Sequence, residues 1–179
     1  MSFTNGKLIW LDLETTGLDP QKDKIVEIAT IITDADLNVL AEGPDLVINQ
    51  PVFVIKGMND WCQEHFATSG LLNAIHDSKI SLSEAEEKTL QFIKKHCSAK
   101  TALLSGSSIH FDKEFIRLNM PDLSEYVHYR IIDVSTIKEL ALRWYPDLPP
   151  FPKAGSHRAH DDILESIDEL KYYRAHIFK

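Results

Sequence analysis

The stretch that most constrains this chain is Ile9-Trp10-Leu11-Asp12-Leu13-Glu14-Thr15-Thr16-Gly17-Leu18-Asp19-Pro20. It begins inside an apolar run, residues 8–13, of the kind that fills a strand buried on both faces. Two carboxylates interrupt that run. Asp12 and Glu14 are two apart, so on a strand they point to the same side. A buried carboxylate is costly, and two like charges side by side cost more. No Lys or Arg stands within the stretch to neutralise them. Two readings fit. The strand ends in a solvated acidic pair, or the pair holds a divalent cation, because hard cations take carboxylate oxygens. Thr15-Thr16-Gly17 then turns the chain, and Asp19-Pro20 is a turn signal.

A length of 179 residues suits a single domain, 1–179, with a sizeable core. The net charge of −8 argues against gripping long duplexes through a broad basic face, but leaves room for a short nucleic acid held by metals and a few donors. Cys62 and Cys97 have neither metal-ligand spacing nor a C-x-x-C pattern, so they read as reduced thiols of a cytoplasmic protein. The first seven residues are short and polar, with no signal peptide, and no apolar run approaches the roughly 18 residues of a membrane span.

Residues 25–33 form a second strand rich in β-branched side chains. Residues 39–43 and 45–49 form a third, with a bulge or bend at Gly43-Pro44. Short connections make these three an antiparallel meander. Residues 51–78 are helical with a poorly defined period. A clearer helix starts at Ser83, where Ser83 and Glu86 fit a capping box. Strands at 101–104 and 129–134 alternate with helices at 112–119, from Ser135 or Thr136 to Trp144, and at 159–178. Strands that follow helices imply parallel crossovers, hence a mixed α/β sheet of about five strands flanked by helices.

Two further places carry candidate chemistry. Asp112 follows Gly106-Ser107-Ser108-Ile109-His110-Phe111 at a helix start, where Asp is also a preferred N-cap. Gly155-Ser156-His157-Arg158-Ala159-His160-Asp161-Asp162-Ile163 offers two His and two Asp. On a continuous helix, residues five apart lie about 140° beyond one full turn, so His157 and Asp162 would not share a face. His157 therefore belongs to the loop before the helix, with Asp162 on the helix. Composition alone leaves His160 and Asp161 as competitors.

Asp12-Leu13-Glu14-Thr15-Thr16-Gly17, Asp112 and the His157…Asp162 spacing together resemble, in order, the three motifs of the DEDD-type 3′→5′ exonucleases, His subclass. The resemblance to the oligoribonuclease branch extends over nearly the whole chain. It includes Ala41-Glu42-Gly43-Pro44, Asp60-Trp61, Thr68-Ser69-Gly70-Leu71, His128-Tyr129-Arg130, Asp133-Val134-Ser135-Thr136 and Arg143-Trp144. Departures are Thr15, Ser107, His110 and Phe111, where that branch usually has Met, Asn, Gly and Gln.

The resemblance implies a ribonuclease-H-like fold and hydrolysis of very short RNA, down to dinucleotides. It implies two Mg²⁺ or Mn²⁺ ions about 3.5–4 Å apart, held by Asp12, Glu14, Asp112 and Asp162. His157 is the implied general base, a role suited to a pKa near 6.5. Leu18 and Trp61 are implied to pack on the bases, and Ser108, Arg130, Ser135 and Thr136 to cap a 5′ phosphate. Without the resemblance, Trp61 reads as a core aromatic and Ser135 or Thr136 as a helix cap. A homodimer is implied, with Tyr129 reaching the partner's substrate. Phe66 stands where the branch commonly has a second crossing residue, a His, and His65 is one position earlier. Trp144, Tyr145, Tyr172, Tyr173 and Phe178 supply aromatics for an interface, or else complete the monomer's core. The rival activity is trimming or proofreading of longer 3′ ends. A catalytically silent binding module is the rival outside enzymes, and the presence of all four acids and the His disfavours it.

Overall fold

The computed structural model describes residues 6–153 and 158–178. Strands β1 (Leu8–Thr15), β2 (Ile25–Thr33) and β3 (Val39–Val47) form the expected antiparallel meander. Strands β4 (Leu103–Gly106) and β5 (Ile131–Asp133) add to the other edge of β1 in parallel, giving the order β3-β2-β1-β4-β5. The mixed five-stranded sheet flanked by helices is the predicted class.

The alternation of β1 divides the core. Ile9, Leu11 and Leu13 face one side, with Ile93 of α4 (Leu82–His96), Phe115 of α5 (Ile109–Asn119) and Leu123 of α6 (Pro121–Tyr126). Leu8 and Trp10 face the other, with Val134 of α7 (Val134–Trp144) and Ile163 and Ile167 of α8 (Ala159–Ile177). Asp12 and Glu14 continue that second row, so they emerge on the α8 side. Val26 packs with Cys62 and Phe66 of α2 (Asp60–Thr68) and with Leu71 and Ile75 of α3 (Leu71–Asp77).

Several boundaries differ from the sequence reading, each for a local reason. Residues 51–78 divide into α1 (Val52–Lys56), α2 and α3. Asn59 caps α2 by accepting from Cys62 N–H, and Gly70, at φ 77°, turns the chain into α3. The N-cap is Ser81, whose Oγ accepts from Glu84 N–H at 3.2 Å; Ser83 and Glu86 lie inside the helix. Glu86 instead accepts from the N–H groups of Asp122 and Leu123, satisfying the start of α6, which the sequence reading missed. Asp133, rather than Ser135 or Thr136, caps α7, and β5 is correspondingly short. The irregularity expected at Gly43-Pro44 is present: the β2–β3 register slips between Ala29 and Ile31, opposite those residues.

The late aromatics split between core and surface. Tyr173 is buried, and Tyr172 packs against Phe151 with its hydroxyl on the Pro149 carbonyl. Trp144, Tyr145 and Phe178 are exposed.

Candidate active site

Pairing between β1 and β4 ends at Trp10 and Ser105, leaving the rest of that β1 edge open. Leu13 N–H there donates to Oδ1 of Asp112 at 3.0 Å. Asp112 is therefore not the cap of α5. Ser108 precedes the helix with φ 54°, a left-handed conformation uncommon outside glycine, and Asp112 lies one turn in, buried against β1. Gly106 permits this close approach, because a Cβ there would lie 2.9 Å from the Leu11 carbonyl oxygen.

Asp162 arrives from the first turn of α8, whose packing on β1 and β2 brings it over the same end of the sheet. Asp12, Glu14 and Asp162 each offer an oxygen, and these oxygens lie within 4.8 Å of one another. Burial pushes the Asp12 carboxyl well above the usual range, and the neighbouring Asp112, Glu14 and Asp162 push it further. Burial raises Glu14 to about 8, reinforced by Asp162, Glu27 and Asp112 and opposed by Arg158. Asp112 is raised to about 7, chiefly by burial, against the stabilising hydrogen bonds of its own and Leu13's N–H groups. Burial and mutual repulsion make it costly for these carboxylates to be charged together. A hard divalent cation resolves this, and the donor set is wholly carboxylate oxygen. The residues present fit such an ion.

His157 lies outside the described residues. His160 does not join the cluster: its Nε2 is 3.2 Å from Glu42 Oε2 on β3. Asp161 is exposed beside it, 3.8 Å from His160 Nδ1.

Glu14 also lines a cavity of about 510 Å³ with Leu13, Thr15, Gly17, Leu18, Asn59, Trp61 and Cys62. Leu18 is 80% exposed and Trp61 53% exposed, so Trp61 is not a core aromatic. Its ring stacks on His65 at 3.9 Å. Phe66 is buried and cannot reach outward; His65 is the half-buried member of that pair.

On the other side of Asp112, Asp133 organises a polar group. Its Oδ1 accepts from Ser108 N–H at 3.0 Å and Ser135 N–H at 2.9 Å, and Ser108 Oγ donates to Ser135 Oγ at 3.1 Å. Ser135 and Thr136 line a second cavity of about 330 Å³ with His110, Glu139 and Arg143. Arg130 is not among its lining residues. It stands over the exposed Tyr129 ring at 5.3 Å. The departures from the motif have partners of their own: Thr15 Oγ1 donates to the Gly17 carbonyl, Ser107 meets Ser166, His110 meets Asp133, and Phe111 packs on Phe115.

Sequence reasoning gave no site role to Asp133 or Glu27. The signal for Glu27 was present, as a lone charge inside an otherwise uncharged strand. Asp133 stands one residue before a helix, the pattern of an N-cap.

The sequence matches the exonuclease family of the RNase T type over residues 9–170. It is 53% identical over 173 residues to a probable oligoribonuclease of Dictyostelium discoideum, covering 97% of this chain and 91% of that one. It is 52% identical over 180 residues to the oligoribonuclease of Haemophilus influenzae strain Rd, covering 100% and 99%. The mouse mitochondrial oligoribonuclease is 51% identical over 175 residues, covering 97% and 74%. Among solved structures, exonuclease I of Methylocaldum szegediense superposes with TM-score 0.70 at 20% identity, covering 97% of this chain and 41% of that one. Escherichia coli exonuclease I bound to an oligonucleotide superposes at 0.71 with 14% identity, covering 96% and 41%. This chain thus spans about two fifths of those exonuclease I chains, and the likeness fixes the fold as ribonuclease-H-like. From the family match and the identity held over nearly the full length, the chain belongs to the exonuclease family and, within it, to the oligoribonucleases.

Proposed function

We propose that the chain, acting as a single domain, is a 3′→5′ exoribonuclease that hydrolyses RNA of a few nucleotides, down to dinucleotides, to mononucleotides. The observation that carries this is the meeting of Asp12, Glu14 and Asp162 within 4.8 Å beside a cavity that ends on exposed Leu18 and Trp61. Asp12, Glu14, Asp112 and Asp162 would hold two divalent ions, Mg²⁺ or Mn²⁺. Such ions supply activation of water and neutralisation of the scissile phosphate's charge. His157 takes the proton from the attacking water as the phosphorus–O3′ bond breaks, releasing the terminal nucleotide as its 5′-monophosphate and leaving a 3′ hydroxyl. Leu18 and Trp61 grip bases without reading them, since stacking on an aromatic is worth about 1–3 kcal/mol per base for any base.

Ser108, Ser135 and Thr136, with Arg130 brought in from beside Tyr129, would cap the 5′ phosphate and so exclude longer chains. Time courses with 5′-labelled RNAs from two to about ten nucleotides, in Mg²⁺ or EDTA, test the reading. The dinucleotide should be cleaved fastest, and EDTA should stop the reaction. Arg130→Ala should slow 5′-phosphorylated dinucleotides much more than 5′-hydroxyl ones. Equal loss on both, or preference for the longest RNA, would favour trimming of longer 3′ ends.

A homodimer completes the site in this reading. Tyr129 is 69% exposed, and Leu142, Trp144, Tyr145 and Phe178 are exposed apolar surface near the chain's end. Aromatics of this kind are favoured at interface cores. Chains carrying Asp112→Ala and Tyr129→Ala, each poorly active alone, should regain part of the activity when co-folded. The Tyr129→Ala chain keeps its own Asp112 and receives Tyr129 from its partner. A fully active monomer in sedimentation, or proven heterodimers with no recovery, would rule out a shared site. Cys62 and Cys97 are buried free thiols, which suits the cytoplasm, and no described helix is long and apolar enough to cross a membrane.

A further inference from the structure

Glu27 is a carboxylate to which the proposed chemistry gives no part. It has no exposed surface, and it stands directly opposite Glu14 in the β1–β2 register. An isolated buried charge of this kind is retained only with partners. Glu27 has three. Its Oε1 accepts from Arg158 Nε at 2.9 Å and from an Arg158 terminal nitrogen at 2.6 Å, and its Oε2 accepts from Ala159 N–H at 3.1 Å. These donors are the residue that precedes α8 and the first amide of α8. Asp162 follows within one turn, its N–H bonded to the Arg158 carbonyl at 3.0 Å. A short, fully hydrogen-bonded path therefore runs from the sheet beneath Glu14 to the carboxylate contributed by α8.

We infer that Glu27 is a positioning residue of the metal centre. Through Arg158 and the Ala159 amide it sets where α8 begins, and so where Asp162 stands relative to Asp12 and Glu14. Glu27 is not counted as a ligand, because both of its carboxylate oxygens are taken, Oε1 by the Arg158 guanidinium and Oε2 by the Ala159 amide. Its charge is committed to a guanidinium whose planar fork fixes direction as well as distance. The inference rests on the metal-site reading above, with Glu27 in the outer shell that orients ligands.

The test is Mn²⁺ titration by calorimetry, without RNA, on the wild type and on Glu27→Gln, Arg158→Lys and Asp162→Asn, each first shown to be folded by circular dichroism. Glu27→Gln should bind Mn²⁺ about 10- to 100-fold more weakly, the usual cost of losing an orienting partner. Its Mn²⁺ requirement for turnover should rise in parallel, with KM for the dinucleotide unchanged at saturating metal. Arg158→Lys keeps the charge but not the fork, so its loss should be smaller. If folded Glu27→Gln binds Mn²⁺ like the wild type while Asp162→Asn does not, Glu27 serves packing alone and the inference is overturned. If Asp162→Asn also binds normally, the metal-site reading fails first. Should Glu27→Gln not fold, Arg158→Lys decides, because that side chain is partly exposed and tolerates change. Weakened Mn²⁺ binding in it supports the inference, and wild-type affinity overturns it.

Discussion

Asp112→Asn is expected to abolish useful turnover while making the metal-free protein more stable at pH 8. Asparagine keeps an oxygen for Leu13 N–H, which now donates to Asp112 at 3.0 Å, so the β1–α5 junction is preserved. What disappears is one negative charge from a buried cluster. In the proposed reaction that charge helps hold the metals, whose electrostatic contribution is several kcal/mol; its loss should slow turnover on the order of a thousandfold or more. The stability effect has the opposite sign. The Asp112 carboxyl is raised to about 7 in the fold, chiefly by burial, against roughly 3.9 in an unfolded chain. With a raised carboxyl, the folded state binds the extra proton, so stability is fully present below about 4 and is lost as pH rises through about 7. The variant has no such group to ionise. In EDTA, its advantage in melting temperature should therefore grow between pH 5 and pH 8, and saturating Mg²⁺ should shrink it by stabilising the wild type. Near-wild-type turnover would show that Asp112 only shapes the helix. A melting difference that is flat with pH would show that its carboxyl is not held neutral.

His157→Ala should lower kcat by about 10²–10⁴ with little change in KM, the signature of a lost general base. His160→Ala is the control with content. His160 is the more obvious histidine by position, on α8 two residues before Asp162, yet it is turned to Glu42 on β3 at 3.2 Å. Its removal costs at most two partly exposed pairs, to Glu42 and Asp161, each a term of about 0–1 kcal/mol. Single-turnover kinetics at saturating Mg²⁺ separate the two, and the acidic limb of the pH–rate profile should vanish in His157→Ala alone. A larger loss from His160→Ala would mean that the spacing His157…Asp162 misassigns the base.

The strand types, their mixed order and the placing of Asp12 and Glu14 on one side of a strand were legible in the sequence. Each rests on a local signal: a period of two, β-branched runs, short turns, and charge where burial makes it costly. Asp112 and Asp162 were singled out only by the resemblance. Helix starts were less legible because several residues compete for each cap. Ser81 and Ser83 both precede a Glu by three positions, and only the packing of α4 selects Ser81, freeing Glu86 to satisfy the start of α6. Asp112 taken alone read more readily as a helix cap than as a ligand. The early end of β4 leaves the Leu13 amide for its carboxylate to fill, and Ser108 rather than Asp112 precedes the helix. The placing of Glu27 belongs wholly to the tertiary structure. Its partner, Arg158, is 131 residues away, and no local pattern joins a charge in a buried strand to the first turn of a distant helix. Sequence alone shows that such a charge needs a counterpart, because burial penalises it unpaired. Only the fold, by laying α8 across β1 and β2, determines which residue answers.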